Sequence, residues 1–365
     1  MTALQTAVLI PSAAPAIDLR TPIAGLPILM RIALTLQRAG VTELRVLGDV
    51  EESLRRLIAN DRRVTMSVRW LPSTSEISAA NVPTGSLVIR GTPVFSRQLI
   101  ESVRGEASAE APSLIFLDAE AAAHPLEGES WYLPVRTCED ARRAEQRLSA
   151  SMKGKYEGFV DRYFNRRLSA PLTRLFLAAG VSANAVTVLS ILIGLIGAVA
   201  FSIGTYGMAV LGAVLFQLAA VVDCSDGEVA RLTFSESRLG HQLDLIGDNV
   251  VHMAIFGALG WAGFQQHGSM VPLGLAAAAI IGNALALTMV MQADNRRARG
   301  ALRSPVQAAR VDFLLSHVAS RDFSVIVLLF TLAQALPLFL WLAAIGSNVF
   351  WMVTAWITHA APRPA

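Results

Sequence analysis

The sequence predicts an α/β domain followed by an all-α bundle of six membrane-spanning helices. Three observations lead there. Of its 365 residues 53% are hydrophobic and only 16% charged, an apolar excess beyond that of a soluble protein. The apolar residues are also concentrated, because 184–222, 249–293 and 323–362 contain no Asp, Glu, Lys or Arg. Residues 1–150 instead alternate short β-prone runs with amphipathic stretches.

In the first domain, strands are expected at Ala7–Pro11, Glu43–Gly48, Val64–Leu71, Ser86–Arg90 and Ser113–Leu117. Helices are expected at Pro27–Ala39, Glu51–Asn60, Ser96–Val103 and Cys138–Met152. Residues 151–182 form a second region, a juxtamembrane helix in the headgroup layer. There Phe159, Tyr163, Phe164, Leu168, Leu172, Leu175 and Phe176 alternate with arginines, and Pro171 kinks the helix or starts a new one. Residues 183–365 form the membrane domain. One span takes about 20 residues, so each charge-free run holds a hairpin of two spans, and three runs give six. Breaks are expected at Gly204–Gly207, at Gln265–Gly268, and at Pro337 or Gly346–Asn348.

Arginines fix the orientation. Arg162, Arg166, Arg167 and Arg174 precede the first run, Arg231 and Arg238 the second, and Arg296, Arg297, Arg299, Arg303, Arg310 and Arg321 the third, whereas the hairpin tips carry none. Both termini are therefore expected in the cytoplasm, with no cleavable leader, and the expected location is the bacterial inner membrane. The net charge of +3 fits contact with anionic lipid headgroups and gives no nucleic-acid footprint. Two cysteines, Cys138 and Cys224, imply neither a disulfide framework nor a zinc site.

The chemistry is concentrated in Asp223-Cys-Ser-Asp226-Gly227-Glu-Val-Ala230-Arg231, followed by Gly240, Asp244 and Asp248. On helices, residues three or four apart share a face, so Asp223 and Asp226 form one pair and Asp244 and Asp248 another. Four converging carboxylates repel one another unless a hard divalent cation with oxygen ligands, Mg²⁺ or Mn²⁺, neutralises them. Gly227 leaves room for a diphosphate or nucleotide beside the helix, and Arg231 supplies a positive partner one turn on. Glu228 and Glu236 are expected to be solvated or cap-forming, His252 buried and hydrogen-bonded, and Cys224 a packing residue whose acidic neighbours raise its thiol pKa.

This pattern resembles the signature of the CDP-alcohol phosphotransferase family, and all eight of its identities are present. The resemblance implies a six-helix bundle with a cytoplasm-facing site, transfer of a phosphatidyl or phosphopolyol group from a CDP-alcohol to an acceptor hydroxyl, and release of CMP. Asp223, Asp226 and Asp244 would bind metal, and Asp248 would bind metal and act as general base. Gly227 and Arg231 would contact the CDP moiety, with Ser237 as a further candidate. Asn184 and Thr187 match part of the family's Pro-Asn-x-x-Thr stretch, with Ala183 in place of its proline, which implies a nucleotide role; the alternative is that they are simply N-cap and first-turn residues of the first helix. A homodimer is implied as well.

In the first domain, Thr21–Arg31 and Gln37–Arg45 resemble the early part of sugar-phosphate nucleotidyltransferases. That family's Gly-rich loop is replaced by Pro11-Ser-Ala-Ala-Pro-Ala-Ile17, no lysine precedes Lys153, and Arg90-Gly-Thr-Pro-Val-Phe95 stands where a metal-binding aspartate belongs. Nucleotidyl transfer is therefore not expected of it. The combination, with Gly158–Arg166 and Arg321–Ser324, resembles bifunctional inositol-phosphate cytidylyltransferase and di-inositol-phosphate phosphate synthases. That implies a polar alcohol or polyol phosphate as acceptor, its phosphate meeting Arg296, Arg297, Arg299 or Arg303, and CDP-diacylglycerol or a CDP-polyol as donor. The competing reading is a noncatalytic membrane scaffold with a nucleotide-sensing first domain.

Overall fold

The computed structural model describes residues 5–11, 17–72, 86–107, 115–118, 129–151, 166–299, 309 and 323–359. They fall into two compact units, Met1–Lys153 with Arg231–Ser235, and Gly154–Ala230 with Glu236–Ala365.

The first unit contains β1 (Thr6–Ile10), β2 (Pro22–Ile23), β3 (Leu26–Pro27), α1 (Ile28–Arg38), β4 (Glu43–Leu47), α2 (Glu52–Asn60), β5 (Ser67–Leu71), β6 (Leu87–Arg90), β7 (Pro93–Phe95), α3 (Arg97–Ala107), β8 (Ile115–Asp118), β9 (Tyr132–Pro134) and α4 (Cys138–Ser151). Five strands form a parallel sheet in the order β5-β4-β1-β6-β8. Its centre is β1, whose Ala7, Val8 and Leu9 are fully buried and pair with β4 on one side and β6 on the other. An interior parallel strand covered on both faces needs such a continuous apolar run.

One charge is built into this core. Arg31 on α1 is almost fully buried and donates to the carbonyls of Ile23 (2.8 Å), Ala24 (3.1 Å) and Leu232 (2.9 Å). Burial pulls its pKa down to about 10, so it stays protonated at neutral pH. Arg38 lies over the ring of Phe234 at 4.7 Å, and Arg63 donates to the carbonyl of Thr233. These contacts are why residues 231–235 group with this unit.

The second unit is helical: α5 (Arg166–Ala178), α6 (Ala183–Ser202), α7 (Tyr206–Leu232), α8 (Arg238–His267), α9 (Val271–Ala298), α10 (Phe323–Leu332) and α11 (Leu336–His359). Among the described residues five helices, α6 to α9 and α11, are long and apolar enough to cross a membrane. The ten-residue α10 is apolar but too short by itself. Breaks lie where glycine permits a left-handed backbone, at Gly204 (φ 77°) and Gly268 (φ 63°). In the third run the break differs from expectation. It falls at residues 333–335, where Gln334 takes φ 55°, and Pro337 sits in the first turn of α11, where its missing N–H costs nothing. Gly346–Asn348 is helix interior, with Asn348 Nδ2 donating to the carbonyl of Ala278 on α9 at 3.0 Å.

The bundle core is an aromatic stack. Phe216, His252, Phe256, Phe323 and Phe339 come from α7, α8, α10 and α11, with His252 4.6 Å from Phe323 and 5.7 Å from Phe216. The outer faces carry exposed Leu192, Ile196, Val199, Ile281, Ile345 and Trp356. A lipid solvent accommodates such a surface; water does not.

Candidate metal and nucleotide site

The last turns of α7 and the first turns of α8 carry the signature, joined by residues 233–237. Carboxylate oxygens of Asp223, Asp226 and Asp244 lie within 4.8 Å of one another. Asp223 and Asp226 are buried, at 3% and 6% exposure, and Asp244 is half-buried. Three anionic oxygens converging in a largely buried site match the donor set of a hard divalent cation and suit no thiolate- or imidazole-preferring metal. Asp248 lies one turn beyond Asp244 on α8, also half-buried, and is not one of the three that converge.

What orients these carboxylates is α6, an element to which the sequence assigned only a nucleotide role. Thr187 donates from its hydroxyl to Asp226, and Ser190 lies 3.2 Å from Asp223 Oδ1. Both hydroxyls are buried and each also reaches a carbonyl of its own helix, Ala183 and Thr187 respectively. One hydroxyl proton serves one acceptor at a time, so the aspartates hold partners that can yield when a cation binds. Ser190 was missed in the sequence. Its signal was there: a second hydroxyl three residues after Thr187 on an apolar helix, hence on the same face.

Glycines let the three helices close in. A Cβ on Gly247, between Asp244 and Asp248, would stand 2.2 Å from Ile191 Cδ1 on α6. At the signature's Gly240 it would meet Asn184 Oδ1 at 3.0 Å and Ser237 Oγ at 3.1 Å. Ser237 is the N-cap of α8, accepting from the Gly240 N–H at 2.9 Å. The cap of α6 is Ser182, one of the roles the sequence left open for Asn184, whose amide instead faces Gly240. Asn184, Thr187, Ser237 and Gly240 thus share the aspartate-bearing end of the bundle.

Glu228 corrects an expectation. It is half-buried rather than solvated or capping, and accepts from Ser169 Oγ at 3.1 Å and Thr173 Oγ1 at 2.6 Å, both fully or almost fully buried on α5. Gly227 is half-buried beside it. Arg231 follows one turn later on the same helix.

Arg296, Arg297 and Arg299 end α9, where cations complement the helix dipole. Arg238 donates to Asn295 at 2.6 Å and His241 lies 4.0 Å from Asp294, so this basic end of α9 adjoins the N-terminal turn of α8. Arg303 lies outside the described residues, as do Arg162 and most of 151–165.

Residues 180–361 match the family model described as CDP-alcohol phosphatidyltransferase. The chain is 36% identical over 129 residues to a "Bifunctional IPC transferase and DIPP synthase" of Archaeoglobus fulgidus, covering 34% of this chain and 25% of that one. It is 34% identical over 142 residues to the protein of the same name from Thermococcus kodakarensis, covering 39% and 32%. The matched stretch thus spans about a quarter to a third of these relatives. Among solved structures, a phosphatidylinositol phosphate synthase of Mycobacterium tuberculosis with CDP-DAG bound is 20% identical, with a TM-score of 0.39, covering 55% of this chain and 98% of that one. The same enzyme with manganese and citrate gives 23% and 0.36, covering 54% and 93%.

Proposed function

Because residues 180–361 belong to the CDP-alcohol phosphatidyltransferase family, we propose that this chain transfers a phosphoalcohol group from a CDP-alcohol to an acceptor hydroxyl and releases CMP. The observation that carries the reading is the convergence of Asp223, Asp226 and Asp244 from two helices within 4.8 Å. These residues, with Asp248, would hold Mg²⁺ or Mn²⁺. When bound, the cation neutralises the donor diphosphate and stabilises the departing CMP. Asp248 takes the proton of the acceptor hydroxyl as its oxygen attacks the β-phosphorus and the bond to CMP breaks. Gly227 admits the diphosphate to the surface of α7, Arg231 pairs with its charge, and Asn184, Thr187 and Ser237 contact the nucleotide.

The bundle has six spans, α10 belonging to the fifth. Its aspartate end faces the cytoplasm of a bacterial inner membrane, and it works as a homodimer. The donor is CDP-diacylglycerol or a CDP-polyol; the acceptor is a polar alcohol or polyol phosphate whose phosphate meets Arg296, Arg297 or Arg299. The first domain, whose stretches Thr21–Arg31 and Gln37–Arg45 resemble nucleotidyltransferases in sequence, has a structural or regulatory role. A carboxylate triad with two members buried and the third half-buried supports an enzyme over a scaffold, since such a cluster is costly without a cation to hold.

The test is purified protein in Mg²⁺ or Mn²⁺ with CDP-diacylglycerol or CDP-inositol and a panel of polyol phosphates, with CMP measured. Metal-dependent release that Asp223→Asn and Asp244→Asn abolish is expected. Undiminished release in chelator would overturn the mechanism.

A further inference from the structure

Helix α7 is held from two sides, and the two clamps differ in kind. On an α-helix each residue advances about 100°, so with Asp223 at zero, Asp226 lies about 60° to one side, while Gly227, Arg231 and Glu228 lie about 40°, 80° and 140° to the other. The α6 hydroxyls grip the first flank through Asp223 and Asp226. The α5 hydroxyls grip the far flank through Glu228. A second contact reinforces it, Ser225 Oγ lying 3.5 Å from the Ser169 carbonyl. The sector between the clamps contains Gly227 and Arg231.

The α5 face that does this is polar. Ser169 and Thr173, one turn apart, are 0% and 2% exposed, whereas Leu168 and Leu175 are exposed at 46% and 61%. An amphipathic helix that buries hydroxyls and exposes leucines is organised around its partner's carboxylate, with the leucines left to lipid. Two hydroxyls donating to one carboxylate are charge-assisted hydrogen bonds, stronger than neutral ones and directional.

We propose that Glu228, clamped by Ser169 and Thr173, is a positioning residue: it fixes the rotation of α7 so that the Gly227–Arg231 sector faces the CDP moiety of the donor. This rests on the reaction proposed above. The metal carboxylates have their own clamp on α6, so releasing Glu228 loosens donor binding and leaves metal binding in place.

The experiment measures CMP release by the full chain in lipid nanodiscs, with donor and divalent metal titrated separately, for Glu228→Ala, Glu228→Gln, Thr173→Val and Ser169→Ala/Thr173→Val. Loss of hydrogen bonds to a charged group predicts a KM for the CDP donor raised about tenfold or more in Glu228→Ala and in the α5 double variant. The half-saturating metal concentration should stay at the wild-type value, and Glu228→Gln, which keeps an acceptor oxygen, should recover part of the loss. Combining Glu228→Ala with the α5 double variant should cost less than the sum of the two, because the hydrogen bonds that join them are lost in either one. A role in folding alone would instead lower yield and move donor, acceptor and metal parameters together. Should Glu228→Ala not fold, Glu228→Gln and Thr173→Val carry the test. Unchanged donor KM, additive losses, or a parallel shift in the metal midpoint would overturn the assignment while wild-type turnover stands. A wild-type protein that releases no CMP from any CDP-alcohol would sink the proposed reaction itself.

Discussion

Thr187 donates its hydroxyl hydrogen bond to Asp226, joining the first membrane helix to the carboxylate pair on the second. Partners of this kind set the orientation and charge of a metal ligand, and their removal costs about 10- to 100-fold in metal affinity. Thr187→Val keeps the shape and deletes the donor. The metal concentration for half-maximal CMP release should rise by that order, with much of the rate recovered at saturating metal. A metal curve superimposable on wild type would show the contact to be incidental.

Packing between α6 and α7 depends on two glycines facing each other. A Cβ at Gly212 would lie 2.8 Å from the Gly197 carbonyl oxygen and 2.9 Å from the Phe201 ring. Backbone cannot swing aside as a side chain can, so Gly212→Ala should cost about 1–3 kcal/mol as an overpacked site. Gly207, on the same helix, has nothing within 4 Å of its virtual Cβ. Gly207→Ala should be neutral or slightly stabilising. Thermal unfolding in detergent separates the two, and equal melting temperatures would contradict the close approach.

Topology is open to direct labelling. If basic ends remain inside, a reporter after Arg299, at the end of α9, is cytoplasmic, and one at His267, at the other end of α8, is outside. Detection of both on one side would require another number of spans.

The first domain should not make the donor it sits beside in the chain. Nucleotidyl transfer must neutralise a triphosphate, and β6 ends in Arg90 and a turn at Gly91 before Pro93, with no carboxylate from 90 to 95. Full-length protein given CTP, Mg²⁺ and inositol or glycerol phosphates should release no pyrophosphate above background. Sugar-phosphate-dependent pyrophosphate would make the protein bifunctional.

The helices of the membrane part were readable because a lipid solvent demands long uncharged runs and glycine marks their ends, as at Gly204 and Gly268. The third run misled. Neither Pro337 nor Gly346 ends a helix there; Gln334 does, and a left-handed glutamine has no signature in a single sequence. Helical periodicity made the pairing of Asp223 with Asp226 on one face readable, and Asp244 joins them, whereas Asp248, expected in the same cluster, is not among the three that converge. Ser190 left a signal, a second hydroxyl on the Thr187 face, but the contacts of Glu228 did not, because they depend on which helix lies alongside, and that is decided by packing between distant segments. Glu228 looked like a surface charge because its partners Ser169 and Thr173 lie more than fifty residues earlier.

The short turn at residues 233–237 also bears on how the protein comes to exist. Asp226 and Asp244 belong to consecutive helices of a single hairpin, so their meeting closes a small loop, and small loops cost little chain entropy and form fast. The ligand triad is therefore complete once the ribosome has delivered α8, before α9 and α11 are made. From that moment a nascent hairpin carries three carboxylates at its inner seam, mutually repelling until a cation arrives. If the triad holds a cation as proposed, ion capture would be an early event of biogenesis, closing the hairpin before the later helices pack on it.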